Sequence, residues 1–324
     1  MSGRFPILYI AEADAEAAVL SSGVLAYLVD SLPQADLTIV GSAASAPLFA
    51  DTPRLTELIV MDKAGRVGWI ALWNRVRQTR WGLAVDMRGT RFTERLRRQK
   101  RAVKGAPRPG THAVEDAAWT LHLDEVPAPR LFFGEETRAA ADALIGNDPS
   151  PILAVGPGAD WIGKRWPAER YAKVAAPLLA EDGPLAGGRL MIVGEEADRD
   201  LAHTIRLAVP RARVIELQGK LTRLQTAAAL SRAALYVGAD SLWTQLAVAA
   251  GAPTVGVYGP SDDTRVGPWG GVSIRGERSY EEFLAVDPNL NQAIQHMMGL
   301  PADRVLKAAQ GLIEKNRKAQ SGGT

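Results

Sequence analysis

Residues 235–260 read LYVGADSLWTQLAVAAGAPTVGVYGP, and this stretch decides the fold. Leu235–Val237 is a short apolar run ending at Gly238. Asp240 and Ser241 are good helix N-caps, Ser241–Ala250 carries a helical pattern, and Gly251 and Pro253 stop it before the apolar run Thr254–Tyr258. Strand, capped helix, glycine stop and strand make a βαβ unit, whose two strands lie parallel.

The rhythm continues towards the N-terminus. Ile152–Val155, Leu190–Val193 and Val214–Leu217 read as further strands, with helices over Ala168–Ala180, Ala197–Ala208 and Thr222–Ala233. Earlier still, Ile7–Ile10, Leu37–Val40, Leu58–Met61 and Leu83–Val85 alternate with the helical patterns Ala17–Val29 and Gly68–Thr79. Between the two series, Pro127–Pro149 holds several prolines and glycines around one short helical pattern and reads as a connection. The expectation is an α/β chain of two Rossmann-like, doubly wound domains, 1–148 and 149–324, facing each other across a cleft. A last helix, about Ala302–Lys318, follows Pro301.

Composition narrows the chemistry. The 324 residues are 47% hydrophobic and 23% charged, with a net charge of +2, so no whole-molecule field points to nucleic acid. Cysteine is absent, which removes disulfides and thiolate chemistry. The four histidines have no metal-ligand spacing. Asp198 and Asp200 form an Asp-x-Asp, but at a helix start this reads as charge complementing the helix dipole, so no metal is expected. Neither a signal peptide nor an apolar run of membrane-spanning length is present, so a cytoplasmic protein is expected.

Two segments carry candidate chemistry. The helix start at Asp240-Ser241 follows a parallel strand, where free backbone N–H groups and the positive dipole end suit a diphosphate. Taken alone, the same two residues read more simply as plain N-caps. The loop Gly156-Pro157-Gly158-Ala159-Asp160-Trp161-Ile162-Gly163-Lys164-Arg165-Trp166-Pro167 brings a lysine between strand and helix. It lacks P-loop spacing; Lys164 is read either as a phosphate ligand or as a solvated side chain, and Trp166 as loop packing.

In order along the chain, these segments resemble the bacterial ADP-heptose:lipopolysaccharide heptosyltransferases, glycosyltransferase family 9. The Lys164-Arg165-Trp166-Pro167 element, Val193-Gly194-Glu195-Glu196-Ala197-Asp198, Gln218-Gly219-Lys220-Leu221-Thr222 and Asp240-Ser241 match the family's pattern. Ala18–Leu25 fits its first loop and helix. The resemblance implies a GT-B fold with an N-terminal acceptor domain, a C-terminal nucleotide-sugar domain, and the terminal helix 302–318 packing back on the junction. It implies inverting, metal-independent transfer of a heptose-like sugar from an ADP-linked donor, with no cofactor, to a lipopolysaccharide-core acceptor. Lys164 would then bind the diphosphate; Asp160, Asp198, Gly219, Lys220, Asp240, Ser241 and Gln245 would line the donor site.

Departures from the pattern cluster at the reaction site. Ala17 stands where the family has its proposed base, leaving Glu16 as stand-in, with Asp14 nearby. Leu242 replaces a glycine and Gln245 a histidine in the Asp-Ser element, and Asp160 stands where a neutral group is usual. A family member that binds sugar or nucleotide, or acts as a scaffold without turnover, is therefore the alternative. The run Arg88, Arg91, Arg95, Arg97, Arg98, Lys100, Arg101, Lys104 and Arg108, ending near His112, forms a basic face. It suits an anionic lipid-linked glycan, with Arg88, Arg91 and His112 as acceptor contacts, or an anionic leaflet of the inner membrane; a solvated helix face is the plain alternative.

Overall fold

The computed structural model describes residues 4–61 and 65–321. The chain divides into two compact units, Met1–Gly134 and Glu135–Thr324. The first runs β1 (Phe5–Ile10), α1 (Ala15–Leu20), α2 (Ser22–Ser31), β2 (Ala35–Ser42), β3 (Leu55–Met61), α3 (Arg66–Val76), β4 (Trp81–Asp86), β5 (Arg98–Val103) and α4 (Ala113–Trp119). Its five strands are parallel in the order β3-β2-β1-β4-β5. Ile7–Ile10 at the centre are fully buried, as an inner parallel strand covered on both faces must be.

The basic run is in part the edge strand β5, not a helix face. Strand periodicity sends its cations to both sides, and lysine and arginine on an edge discourage pairing with another chain. The single helix expected over Ala17–Val29 is broken at Ser21, which ends α1 and precedes α2.

The second unit runs α5 (Glu135–Ile145), β6 (Ile152–Gly156), α6 (Ala168–Leu179), β7 (Arg189–Ile192), α7 (Arg199–Ile205), β8 (Val214–Glu216), α8 (Arg223–Leu230), β9 (Leu235–Ala239), α9 (Leu242–Ala249), β10 (Thr254–Tyr258), α10 (Asp263–Val266), β11 (Val272–Arg275), α11 (Tyr280–Val286) and α12 (Ala302–Ser321). All six strands are parallel in the order β11-β10-β9-β6-β7-β8, the doubly wound arrangement. The contact boundary lies at Gly134, fourteen residues before the expected 148, because α5 packs on α8 and the Arg189 guanidinium donates to the Ile145 and Asp148 carbonyls. Helix α12 packs on α6 and on the β9–β11 side of its own sheet.

One close approach fixes the middle of this sheet. Gly156 of β6 and Gly238 of β9 are register partners, and a Cβ on either would overlap the buried Tyr236 hydroxyl. Thr244 Oγ1 donates to the Ala239 carbonyl at 2.6 Å and meets Tyr236 Oη at 3.3 Å, tying the first turn of α9 to the end of β9. Trp166 anchors the other side: it is fully buried, lies edge-on to Tyr171 at 4.7 Å, and donates from Nε1 to the Leu300 carbonyl at 2.9 Å. Trp166→Ala is expected to lower the unfolding free energy by about 3–5 kcal/mol in urea denaturation; a loss under about 1 kcal/mol would show that the indole is not an anchor.

Candidate functional site

Strand order reverses between β6 and β9, and ligands of open parallel sheets bind beyond the carboxyl ends of the strands at such a point. The loop after β6 carries Lys164 at the end of a 3₁₀ turn, Ile162–Lys164; Asp240 and Ser241 follow β9. Folding brings them together. Lys164 Nζ lies 3.1 Å from Asp240 Oδ2 and 3.7 Å from Asp160 Oδ1. The Ser261 hydroxyl, after β10, donates to the same Asp240 oxygen. Asp240 is 2% exposed at its side chain, Lys164 23% and Asp160 81%. Asp240 Oδ1 is buried without a hydrogen-bond partner.

Asp240 therefore holds the lysine rather than capping α9. Ser241 sits at the N-cap position, but its hydroxyl makes no capping bond and turns 3.4 Å towards the Ala239 carbonyl. The first turn of α9 keeps its backbone donors uncapped by any side chain. A cation and an uncapped helix start beside a buried carboxylate can receive a diphosphate, the phosphate oxygens taking over the lysine's charge. Leu242, half-buried, begins α9, while Trp243 is buried.

The loop is strapped from a distance. The Trp161 indole donates to the Gln292 carbonyl at 2.9 Å, and Arg165 Nε to the Ala159 carbonyl at 3.2 Å. Arg170 on α6 donates to the carbonyls of Met297, Met298 and Leu300.

The remaining donor-site candidates lie at the same end of the sheet in different roles. Asp198 is buried and accepts the Glu195 N–H at 2.9 Å, closing a capping box on the turn Glu196–Asp198. Burial lifts its carboxyl above the ordinary range, against the pull of the Glu195 N–H and of Arg165. A Cβ on Gly158 would overlap its Oδ2, so the glycine loop rests directly on it. Gly219 follows β8 with φ +67°, in a turn only glycine adopts freely, and Lys220 beside it is exposed. Gln245 is buried and donates one amide N–H from Nε2 to the Val266 carbonyl at 2.8 Å, while its Oε1 is buried without a partner. Ser261 and Gln218, whose buried Nε2 has no partner, were not among the candidate site residues; Ser261 directly follows the Gly259-Pro260 that ends the stretch 235–260, and Gln218 opens the Gln218–Thr222 element.

In the first unit, Asp14 caps α1 by accepting the Ala17 N–H at 2.9 Å, which gives it a structural task; Glu16, half-buried, lies in that helix's first turn. Arg88 follows β4, donates from Nε to the Ala11 carbonyl at 2.8 Å, and keeps a buried terminal nitrogen without a partner. Burial lowers its pKa, offset by Asp86 and Glu12. Asp86 is fully buried and accepts from Thr90 and from the Arg88 N–H at 3.0 Å. Glu12 pairs with Lys104 at 2.6 Å. Arg91 is exposed and paired with Glu94 at 3.1 Å; His112 caps α4, its Nδ1 accepting the Val114 N–H at 3.2 Å.

Two Rossmann-like units, each built on a parallel sheet, give the α/β architecture of the GT-B class. The profile of glycosyltransferase family 9 (heptosyltransferase) matches residues 58–280, and the chain belongs to that family. Lipooligosaccharide heptosyltransferase 2 of Haemophilus influenzae is 29% identical over 151 residues, a match covering 43% of this chain and 42% of that relative. Among solved structures, a family 9 glycosyltransferase of Veillonella parvula superposes with a TM-score of 0.73 at 20% identity, covering 96% of this chain and 97% of that one. The ADP-heptose heptosyltransferase II of E. coli gives 0.72 at 18%, covering 97% and 100%. Among the described residues, no helix is long and apolar enough to cross a membrane.

Two outcomes follow. Lys164→Ala leaves buried Asp240 with only the Ser261 hydroxyl and no opposing charge, so stability should fall by about 1–3 kcal/mol, and adding Asp240→Asn should restore part of it. Full additivity of the two losses would contradict the pair. For Asp198, the raised carboxyl favours the protonated form in the fold, a contribution present at low pH and lost as pH climbs through the raised value. Asp198→Asn should therefore gain stability relative to wild type as pH rises above 3.8, read by urea titration across that range.

Proposed function

We propose that this family 9 glycosyltransferase transfers a heptose-like sugar from an ADP-linked donor to an anionic, lipid-linked lipopolysaccharide-core acceptor, with inversion and without metal or cofactor. The contact of Lys164 with buried Asp240 beside the uncapped start of α9 carries the reading. The donor diphosphate would settle on Lys164 and the α9 N–H groups, which supply the positive charge that leaving-group departure requires. The turn at Gly219-Lys220 and the polar groups Asp198 and Gln218 lie at the carboxyl ends of β7 and β8, where the nucleoside would extend. Arg88 and Arg91 would receive the acceptor's negative charge.

In the transfer, the acceptor oxygen bonds to the sugar's anomeric carbon as the bond to the diphosphate oxygen breaks. ADP leaves with that electron pair, and the hydroxyl proton passes to a carboxylate, for which Glu16 is the candidate. A second reading, a sugar- or nucleotide-binding protein or scaffold without turnover, draws on two observations. Ala17 occupies the expected base position, and Gln245, which cannot carry charge, gives one amide N–H to Val266.

Calorimetry with ADP followed by a transfer assay separates the readings. Lys164→Ala should weaken ADP binding at least about tenfold, and Glu16→Gln should cut transfer about a hundredfold while leaving ADP affinity unchanged. ADP binding with no transfer by the wild type supports the second reading; no nucleotide binding at millimolar concentration removes the first.

A further inference from the structure

Helix α3 carries an apolar surface on which Val67 and Ile70 are exposed. Gly68, Leu72 and Val76, four apart, face the core, and Trp69 and Trp73 are half-buried against Phe92 at 5.0 and 6.0 Å between ring centroids. Val67 and Ile70 point outward, 61% and 60% exposed. Trp69, Ile70 and Trp73, with Phe92 from the turn after β4, line an open groove of about 890 Å³, and exposed Val67 lies on the same helix outside it. Arg66, Arg91 and Arg95 rim it, and Arg88 lies over the Trp69 ring at 5.8 Å. Among the described residues Glu94 is the one carboxylate lining the groove, and it is paired with Arg91 and Arg101. Exposed Arg77 and Arg80 follow the helix.

We propose that this face docks on an anionic lipid surface, with Val67 and Ile70 entering the acyl boundary, the two tryptophans at headgroup level and the arginines on lipid phosphates. Charge and shape together choose the occupant. The rim is cationic, so the partner is anionic; the exposed aliphatics Ile70, in the groove, and Val67, beside it on the helix, find no use against a phosphodiester backbone or a glycan, which call for stacking or hydrogen bonds. A bilayer surface takes an aliphatic wedge beside arginines without requiring a matching pattern of donors and acceptors. The groove follows β3 and β4, at the carboxyl end of the first sheet. This placement does not depend on the nucleotide reading.

Co-sedimentation of the full chain with phosphatidylglycerol and phosphatidylcholine vesicles tests it, with tryptophan emission recorded in parallel. Binding to phosphatidylglycerol alone, a blue shift on binding, and weakening by salt are expected. Val67→Glu/Ile70→Glu, which alters only exposed positions, should reduce the partition coefficient at least about tenfold, with ADP affinity unchanged. Equal binding to both lipids, or full retention by the double variant, would overturn the proposal. So would a wild-type dimer that the double variant converts to monomer without vesicle binding, since a second copy would then cover the face.

Discussion

A carboxylate that loses nearly all contact with water must be compensated where it stands. At Asp240 the compensation comes from Lys164, on a different loop, and from the Ser261 hydroxyl on a third. Three segments after three adjacent strands, β6, β9 and β10, are thereby pinned to one point at the switch in strand order. Much else serves that arrangement. Glycines at positions 156 and 238 let Tyr236 lie between the strand ends, Thr244 fixes the start of α9, and Trp161, Trp166 and Arg170 strap the lysine loop to residues 292–300.

The doubly wound architecture was legible because parallel strands buried on both faces read as short apolar runs, and turn residues separate them. The strands at 152–155, 190–193, 214–217, 235–237 and 254–258 all appear within a residue or two. The elements that escaped are those with no such pattern. Strand β5 is Arg-Gln-Lys-Arg-Ala-Val, an edge strand with too few apolar residues to announce itself, and β11 is only four residues long. The boundary moved because α5 owes its allegiance to contacts with α8 and Arg189, which lie 41 to 90 residues downstream and leave no local signal.

The candidate site was legible by residue type and less so by role. Lys164, Asp160, Asp240 and Ser241 do converge, as the order of motifs implied. Asp240 and Ser241 are both good caps by sequence, yet neither caps α9, because the carboxylate's electrostatic need outweighs a capping bond worth about 1 kcal/mol. Asp198 and His112 went the other way, each closing a local capping box. Gln245 fills a position where the family has histidine, and its hydrogen bond to Val266 makes it part of the scaffold around α10. Which hydrogen bond a polar side chain prefers is decided by partners distant in sequence, and no spacing rule records that.

The central claim is that the Lys164–Asp240 pair marks the diphosphate site of the second unit. A crystal structure of the chain with ADP bound tests it most directly. The account predicts a phosphate oxygen within hydrogen-bond distance of Lys164 Nζ and of the first backbone N–H groups of α9. ADP seated elsewhere, with the Lys164–Asp240 contact closed and the Leu242 side chain occupying the phosphate position, would contradict it.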